Sequence, residues 1–310
     1  MKTVAVLLAG FCASAAVAQG AAPPFTVAGS GHGYWRLDDA VKAIGDQTGT
    51  ILIAPGTYHD CASQHGGNIT FKSVEPGRAV FDGQICEGKA ALVLHGRGAK
   101  IDGIIFQNLR VPDGNGAGIR LETGNLVVVN SWFRNSEEGI LSADDPASSV
   151  IIDHSTFSGL GRCDRGLSCA HSVYFGNYGS VTVTHSRFER GAGGHYFKSR
   201  AAHNVVADNS FDDSAGHTTN YMVDLCAGSN GRISGNVFVQ GKDKENHSAL
   251  ITVAAEERLH RSAGLIVTNN SATQAPGVDW PTVFVADWSH EPLQIGTNRL
   301  SGRIQRFETR

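Results

Sequence analysis

Residues 193–201, with the sequence GGHYFKSRA, bring imidazole, phenol, ammonium and guanidinium groups together in one short stretch. Arg200 and Lys198 can bind a carboxylate, and the planar guanidinium can do so through two parallel hydrogen bonds. The imidazole of His195 and the phenol of Tyr196 can move protons. Side chains alternate between the faces of a β-strand, so a strand here would place Tyr196, Lys198 and Arg200 on one face. This face predicts a site for an anionic ligand.

An internal repeat surrounds this stretch and predicts the elements that position it. Phenylalanines recur at intervals of 27, 24, 31, 23 and 27 residues, each within a copy that carries an alternating aliphatic segment. A second set of short apolar segments lies between the copies, and Gly, Asn, Asp and Ser occupy the joins. Repeats of this length with two or three short strands are typical of a solenoid, in which each coil buries its apolar residues against its neighbours. The phenylalanines of the repeat are Phe106, Phe133, Phe157, Phe188, Phe211 and Phe238.

The predicted fold is all-β: a single-stranded right-handed parallel β-helix with a short N-terminal capping helix. An amphipathic segment at residues 37–44 is the predicted cap, which would hide the open edge of the first coil. An antiparallel sandwich is disfavoured because the turns lack the two-residue hairpin pattern. The expected organisation is a secretory signal at 1–18, an N-terminal segment and cap at 19–49, the β-helix at 50–303 and a C-terminal tail at 304–310.

The first 18 residues predict export. Lys2 supplies positive charge, an apolar run follows, and Ala16-Val17-Ala18 is a small-residue cleavage site. No later segment has the roughly 20 consecutive apolar residues that a membrane span requires. We expect an exported protein without a membrane span, either periplasmic or secreted.

Five cysteines follow the predicted cleavage site. In an oxidising compartment, disulfides between Cys61 and Cys86 and between Cys163 and Cys169 are plausible, which would leave Cys226 free. The sequence has no Cys or His cluster with zinc-like spacing, so no metal site is predicted.

No cofactor is expected, although calcium remains open. Asp212, Asp213 and Asp224 could contribute oxygen ligands, but no dense acidic loop resembles a calcium site. The net charge of -3 and the absence of basic runs argue against a nucleic-acid partner. We expect a monomer.

Several segments resemble the pectin-lyase-like superfamily of right-handed parallel β-helix proteins, over roughly residues 45–300. They are LIAPGTY, the coil motif with Asn or His before Phe, and the Gly-rich joins. Further segments resemble a group of exported bacterial β-helix proteins similar to polysaccharide lyases: PDGNGAGIR, EEGIL, SCAHSVYFG, GGHYFKSRA and YMVDLCAG. The resemblance implies the fold, whereas the superfamily's activities range over pectate and alginate lyases, polygalacturonases, esterases and non-enzymatic adhesins.

Stacked coils would align the candidate residues. Adjacent coils lie about 4.8 Å apart, so outward side chains at equivalent positions form a ladder that can line a groove. The predicted catalytic residues are Lys198, Arg200, His195 and Tyr174, and the predicted substrate-binding residues are Arg120, Glu138, His171, Tyr196, Asp224 and Glu256.

These groups fit cleavage of an acidic polysaccharide by β-elimination, which needs a cation for the uronate carboxylate, a base and an acid. Arg200 or Arg120 can pair with the carboxylate through two hydrogen bonds. Lys198 can be the base if its neighbour Arg200 lowers its pKa. Tyr174, Tyr196 or His195 can supply the acid or an alternative base. The resemblance points the same way, since alginate and pectate lyases of this fold use a similar Lys and Arg pair.

Two alternatives remain open. Glu138, Asp224 and Glu256 could serve an inverting glycoside hydrolase, whose two carboxyl groups lie about 6.5 to 9.5 Å apart. A non-catalytic carbohydrate-binding or surface β-helix is the third hypothesis, in which Lys198 and Arg200 are solvated surface charges. An aromatic content of 8% mildly disfavours a pure binding protein, because binding clefts usually carry exposed rings.

Overall fold

The structure, a computed structural model, describes Met1 and residues 22–310. The predicted secretory signal at 1–18 lies outside the described residues, apart from Met1. Within the described ranges the chain forms one α-helix and 32 β-strands. No helix in this part of the chain is long and apolar enough to cross a membrane.

The helix α1 spans Leu37–Ile44. The strands of the first half are β1 (Phe25–Val27), β2 (His32–Tyr34), β3 (Thr48–Ile53), β4 (Gly56–Tyr58), β5 (Ala62–Gln64), β6 (Asn68–Ser73), β7 (Ala79–Asp82), β8 (Ala90–Leu94), β9 (Gly98–Asp102), β10 (Ile104–Gln107), β11 (Ala117–Leu121), β12 (Asn125–Val129), β13 (Trp132–Arg134), β14 (Glu138–Ser142), β15 (Asp145–Asp153) and β16 (Thr156–Ser158). The strands of the second half are β17 (Val173–Phe175), β18 (Tyr178–Thr184), β19 (Arg187–Glu189), β20 (Phe197–Ser199), β21 (His203–Ala207), β22 (Ser210–Asp212), β23 (Val223–Leu225), β24 (Asn230–Ser234), β25 (Val237–Gln240), β26 (Ala249–Val253), β27 (Ile266–Thr268), β28 (Ser271–Gln274), β29 (Thr282–Asp287), β30 (Gln294–Ile295), β31 (Arg299–Leu300) and β32 (Ile304–Thr309).

The strands form three sheets, and each coil passes once through all three. Sheet A contains β3 and every third strand as far as β30, with β1 and β2 added at its first edge. Sheet B runs from β4 to β31 and sheet C from β5 to β32, with ten strands each in the described ranges. Strands of successive coils pair in parallel, whereas β1 pairs antiparallel with β2 and β3. The predicted all-β parallel β-helix is therefore confirmed.

A column of phenylalanines fills the interior beside sheet B. Successive ring centroids lie 4.8 to 5.7 Å apart, close to the spacing between coils. The rings are buried and stack because each Phe is in register with the Phe of the next coil. The column consists of Phe81, Phe106, Phe133, Phe157, Phe188, Phe211 and Phe238.

A second, polar column occupies the corner between sheets A and B. Here a buried side-chain oxygen of one coil accepts a hydrogen bond from a backbone N–H of the preceding coil, as Asn236 Oδ1 does from Asn209 at 2.9 Å. The column satisfies backbone groups at the bend, which would otherwise be buried without partners. Its members are Ser131, Ser155, Ser186, Asn209, Asn236, Asn270 and Asn298.

The coil motif with Asn or His before Phe lies at this corner, but its Asn130 is not a member of the column. Ser131 lies in the column, whereas Asn130 is exposed one residue earlier, with a φ of 51°. His154 and His185 repeat this exposed position with φ values of 47° and 46°.

The helix α1 lies at the N-terminal end of the coils. Leu37, Ala40, Val41 and Ile44 are buried in the main hydrophobic core, and the helix packs on β1, β2, β3 and β5. It ends at Gly45, whose φ of 59° is in the left-handed region that glycine adopts readily. Its role as a cap stays a prediction.

The C-terminal residues 304–310 are not a tail. The strand β32 pairs in parallel with β29 in sheet C, and Phe307, in register with Val285, packs on the core. An apolar residue at that position supplies the contact that a solvated tail would lack.

Both predicted disulfides are present, between Cys61 and Cys86 and between Cys163 and Cys169. Of the cysteines in the described ranges, Cys226 is free and buried.

Candidate active site

The outer face of sheet C aligns three candidate residues from successive coils. Tyr174 pairs with Lys198, and Lys198 pairs with Asp224, in the parallel register of β17, β20 and β23. The next residue in this row is Thr252 on β26. Because neighbouring coils are about 4.8 Å apart, these side chains form one continuous patch.

Tyr196, a predicted substrate-binding residue, lies in the core and does not belong to this patch. Strand β20 begins only at Phe197, and both Tyr196 and Phe197 lie in the hydrophobic core. Tyr196 is 1% exposed, and its hydroxyl donates a hydrogen bond to Asp213 Oδ1 at 2.6 Å. The chain bends immediately before the strand, so the alternation of faces does not extend back to this residue.

Cations and a phenol converge at the centre of the patch. The ammonium of Lys198 donates to Glu256 Oε1 at 2.6 Å and lies 5.0 Å from the centre of the Tyr174 ring. The guanidinium of Arg200 donates through Nε to the Tyr174 hydroxyl at 2.7 Å. Arg200 also forms ion pairs with Glu256 and Glu257. One half-buried surface thus holds two cations, a phenol and two carboxylates.

Lys198 is a cation rather than a base. Burial alone would lower its pKa, but the hydrogen bond with Glu256 and the charges of Asp224 and Glu256 outweigh burial, and the pKa is raised. The protonated ammonium suits a role as a cation better than the predicted role of Lys198 as the base. Burial raises the pKa of Tyr174, despite the opposing hydrogen bond from Arg200, so the phenol also keeps its proton.

Two imidazoles lie beside this patch. The ring centroids of His171 and His195 are 4.8 Å apart. The backbone N–H of His195 donates a hydrogen bond to His171 Nδ1 at 3.0 Å. Burial, with the nearby charge of Lys198, lowers the pKa of His171 to about 3. Burial also lowers the pKa of His195 well below its usual range. Both rings are therefore neutral at neutral pH.

His195 and Asp224 form a close pair. Nε2 of His195 lies 3.2 Å from Asp224 Oδ2. The buried Nδ1 of His195 has no hydrogen-bond partner within residues 22–310. Asp224 is 1% exposed and accepts a hydrogen bond from Thr252 Oγ1 at 2.7 Å. Burial raises the pKa of Asp224 from 3.8 to about 6. This pair can therefore take up a proton near neutral pH.

Glu138 extends the row of imidazoles by one coil. Its Oε1 accepts a hydrogen bond from the backbone N–H of His171 at 3.2 Å, and its buried Oε2 has no partner in the described ranges. Burial raises the pKa of Glu138 well above its usual range. Burial therefore favours the protonated form of the Glu138 carboxyl.

Arg120 lies outside the cluster. In the register of sheet C it is separated from Tyr174 by Leu141. Its Nε donates to Glu122 Oε1 at 3.1 Å, and Glu122 also pairs with Lys89 at 2.6 Å. Arg120 could contact only a more distant part of a long ligand.

One candidate pair for the inverting hydrolase, Asp224 and Glu256, is closer together than that mechanism requires. The nearest oxygens of Asp224 and Glu256 lie within 4.8 Å of each other. An inverting pair needs about 6.5 to 9.5 Å to hold a water molecule between acid and base. The Asp224 and Glu256 pair therefore does not support that alternative.

Two carboxylates and a thiol of the cluster lie close enough together to be compared with a metal site. Asp224, Cys226 and Glu256 each offer an atom within 4.8 Å of the others. Lys198 and Arg200 already neutralise Glu256, and burial raises the pKa of Cys226, which favours the thiol. The ion-paired Glu256 and the protonated thiol of Cys226 therefore make this donor set a poor match for a metal ion.

Two of the residues that could contribute to a calcium site, Asp213 and Asp224, have different surroundings. Asp213 is buried and is held by Lys244 at 3.1 Å and by the hydroxyl of Tyr196. Asp224 faces the outer patch instead.

Sequence reasoning missed Thr252 and Glu257. Thr252 follows from the register, because it is the outward residue one coil after Asp224. Glu257 lies outside the strands, where alternation gives no signal.

Residues 145–280 match the model of a family described as "Right handed beta helix region". This span contains Tyr174, Lys198, Arg200, Asp224 and Glu256. No curated protein matches the chain in sequence.

Solved structures share the fold at low identity. Escherichia coli ybhc has 12% identity and a TM-score of 0.55, with 95% of this chain and 89% of that chain covered. The pectin methylesterase from Aspergillus niger has 13% identity and a TM-score of 0.51, with 84% and 88% covered. ORF18 of Geobacillus virus E2 has 12% identity and a TM-score of 0.49, with 88% of this chain covered, which spans 57% of that protein. At such identities the similarity shows the fold alone. Together with the parallel sheets, the family match and the two structures with TM-scores above 0.5 show that the chain has a right-handed parallel β-helix fold.

Proposed function

We propose that this protein is an exported carbohydrate-active enzyme that cleaves an acidic, uronate-containing polysaccharide by β-elimination. The observation that carries the proposal is the convergence of Lys198, Arg200 and the Tyr174 phenol on one patch of sheet C. The two disulfides fit an exported protein. The fold shared with a pectin methylesterase is compatible with a polysaccharide substrate.

The first requirement of elimination is to neutralise the carboxylate of the uronate. Lys198 would bind this carboxylate from the outer face of β20, and Arg200 would bind it from the position directly after the strand. Neutralisation makes the C5 proton more acidic and stabilises the negative charge that develops when this proton leaves. Because the pKa of Lys198 is raised, this charge is present at neutral pH.

The second requirement is a proton acceptor. The pair of His195 and Asp224 would accept the C5 proton, since His195 is neutral and the pKa of Asp224 is about 6. The electrons of the broken C5–H bond form the double bond between C4 and C5. A base with a pKa near the operating pH suits this step.

The third requirement is a proton for the leaving oxygen. The electrons of the broken C4–O bond stay on this oxygen, which takes the proton of the Tyr174 hydroxyl. Arg200, bonded to the same hydroxyl at 2.7 Å, would stabilise the phenolate that results. Positioned acids of this kind contribute about 10²- to 10⁴-fold to a rate.

The proposal is tested by incubating the purified protein with a panel of uronate polymers. Elimination creates a double bond conjugated with the carboxylate, which is followed by ultraviolet absorbance. We expect Lys198→Met and Arg200→Met to abolish the signal and Tyr174→Phe to lower kcat by about 10²-fold or more. Lys100→Met, on the outer face of sheet A, is the matched control and should keep full activity.

Other results would contradict the proposal. New reducing ends without absorbance would indicate hydrolysis. Binding without any cleavage across the panel would favour the non-catalytic hypothesis.

A further inference from the structure

Residues 254–264, here named the strap, cross the outer face of sheet C at the edge of the candidate site. The backbone N–H groups of Glu256 and Glu257 each donate to the carbonyl oxygen of Cys226 at 3.0 Å. The backbone N–H of His260 donates to the carbonyl oxygen of Ala227 at 3.0 Å. The strap therefore leaves its own coil and folds back over the preceding one.

The far end of the strap reaches further back still. Nε2 of His260 lies 3.0 Å from Oδ1 of Asn177. Asn177 follows β17, and β17 is three coils before β26, from which the strap departs. At about 4.8 Å per coil, the strap covers the coils that carry Tyr174, Lys198 and Asp224.

Two glutamates of the strap occupy the cationic part of the site. Glu256 binds both Lys198 and Arg200, and Glu257 binds Arg200. A carboxylate held between Lys198 and Arg200 is the arrangement that elimination requires for a uronate. The Glu256 carboxylate is the same functional group as the one proposed for the substrate.

The charge balance explains why such an occupant is needed. Lys198 is 8% exposed, and an unpaired ammonium at this depth is unfavourable. Exchange of one carboxylate for another keeps the ion pair, so a substrate would lose less by displacing Glu256 than by entering as an additional charge.

The strap is held by contacts that can break without unfolding the coils. Glu256, Glu257, Arg258 and Leu259 are all exposed, so this part of the strap buries little apolar surface. Hydrogen bonds and partly exposed ion pairs hold it in place, and such segments have low local stability.

We infer that Glu256 occupies the subsite for the substrate's carboxylate, and that an anionic glycan binds this subsite only after the strap lifts. The identity of the ligand rests on the proposed function. The movement of the strap can be measured without any catalysis.

The first experiment is amide hydrogen exchange in the Glu256→Gln/Glu257→Gln double variant. The backbone amides at positions 256, 257 and 260 should exchange about tenfold faster or more than in the native protein, because loss of the ion pairs favours the open strap. The amides of β26 should not change. The matched control is Glu75→Gln, at an exposed turn between sheets A and B. Unchanged exchange in the strap would overturn the inference, since a rigid strap cannot uncover the subsite.

The second experiment adds sodium glucuronate to the native protein and compares it with sodium chloride at equal ionic strength. Glucuronate should accelerate exchange of the strap amides more than chloride does, because it competes with Glu256 for Lys198 and Arg200. Equal effects of the two salts would overturn the inference.

The two proposals can fail separately. If glucuronate opens the strap and no polymer is cleaved, the subsite stands and elimination fails. If a polymer is cleaved while the strap amides keep their exchange rate, elimination stands and the inference fails.

Discussion

Asp224 is buried beside a neutral imidazole and a protonated lysine, and this placement links its protonation to the stability of the fold. Its pKa is raised from 3.8 to about 6 by burial, so the folded protein holds this proton more tightly than the unfolded chain does. The stabilisation is fully present below about pH 4 and is lost as the pH rises through about 6. A shift of this size corresponds to about 3 kcal/mol at most.

We therefore expect Asp224→Asn to change the pH dependence of stability. The free energy of unfolding of the native protein, minus that of the variant, should fall between about pH 4 and pH 7 by up to about 3 kcal/mol. Chemical denaturation at several pH values measures this difference. Asp279→Asn, which changes an exposed carboxyl, is the control. A pH-independent difference for Asp224→Asn would show that its proton affinity is the same in the folded and unfolded states.

The sequence identified most residues of the cluster but not their protonation states. Period-two alternation correctly placed Lys198 on the outer face because it lies inside β20. Alternation failed at Tyr196, because a bend between sheets makes two consecutive residues point inward. The charge of Lys198 depends on Glu256, which is 58 residues away in the chain, so local sequence could not reveal it.

At the scale of elements, the polar column between sheets A and B fixes where each coil turns. Asn236 joins three coils: it accepts hydrogen bonds from Asn209 and donates through Nδ2 to the carbonyl oxygen of Val206 and to Asn270 Oδ1. A serine can fill the same position in earlier coils because its hydroxyl also accepts the backbone N–H. This interchange explains why the Asn or His of the coil motif coincides with only part of the column.

Asn236→Ala should lower the free energy of unfolding by about 2 to 4 kcal/mol, because buried donors and acceptors would lose their partners. Chemical denaturation checks this value. Asn230→Ala removes an exposed amide near the same coil and should cost less than about 0.5 kcal/mol. An equal decrease in the free energy of unfolding for the two variants would mean that the polar column does not stabilise the corner.

At the scale of the whole molecule, the two ends of the coil stack differ. At the N-terminal end, β1, β2 and α1 lie against the first coil, and α1 buries Leu37, Ala40, Val41 and Ile44. At the other end, β30, β31 and β32 form the last described coil. The repeat of phenylalanines predicted the stack, since one strong residue recurs in each coil. The C-terminal strand was missed because the repeat ends before its coil: the positions that follow Phe238 in the column are Ala272 and Leu300.

If α1 is a cap, Val41→Asp should uncover the edge of the first coil. Buried charge would displace the helix, so we expect a lower Tm and self-association of the exposed strands. Thermal unfolding and light scattering measure the two effects. Ala43→Asp introduces the same side chain on the exposed face of α1 and should leave the protein monodisperse. A lower Tm without association would contradict the capping role.

The parallel register described above also governs how the protein can vary in length. Each coil contacts only its neighbours, so a whole coil can be gained or lost without altering the packing of distant coils. A coil added before β11 or after β29 would leave Tyr174, Lys198, Asp224 and the strap at their present separations. A coil added between β17 and β23 would move groups of the site apart by about 4.8 Å, more than a hydrogen bond can span. Coils can therefore be added or lost near the ends of the stack without changing the site, whereas a coil inserted between β17 and β23 would disrupt it.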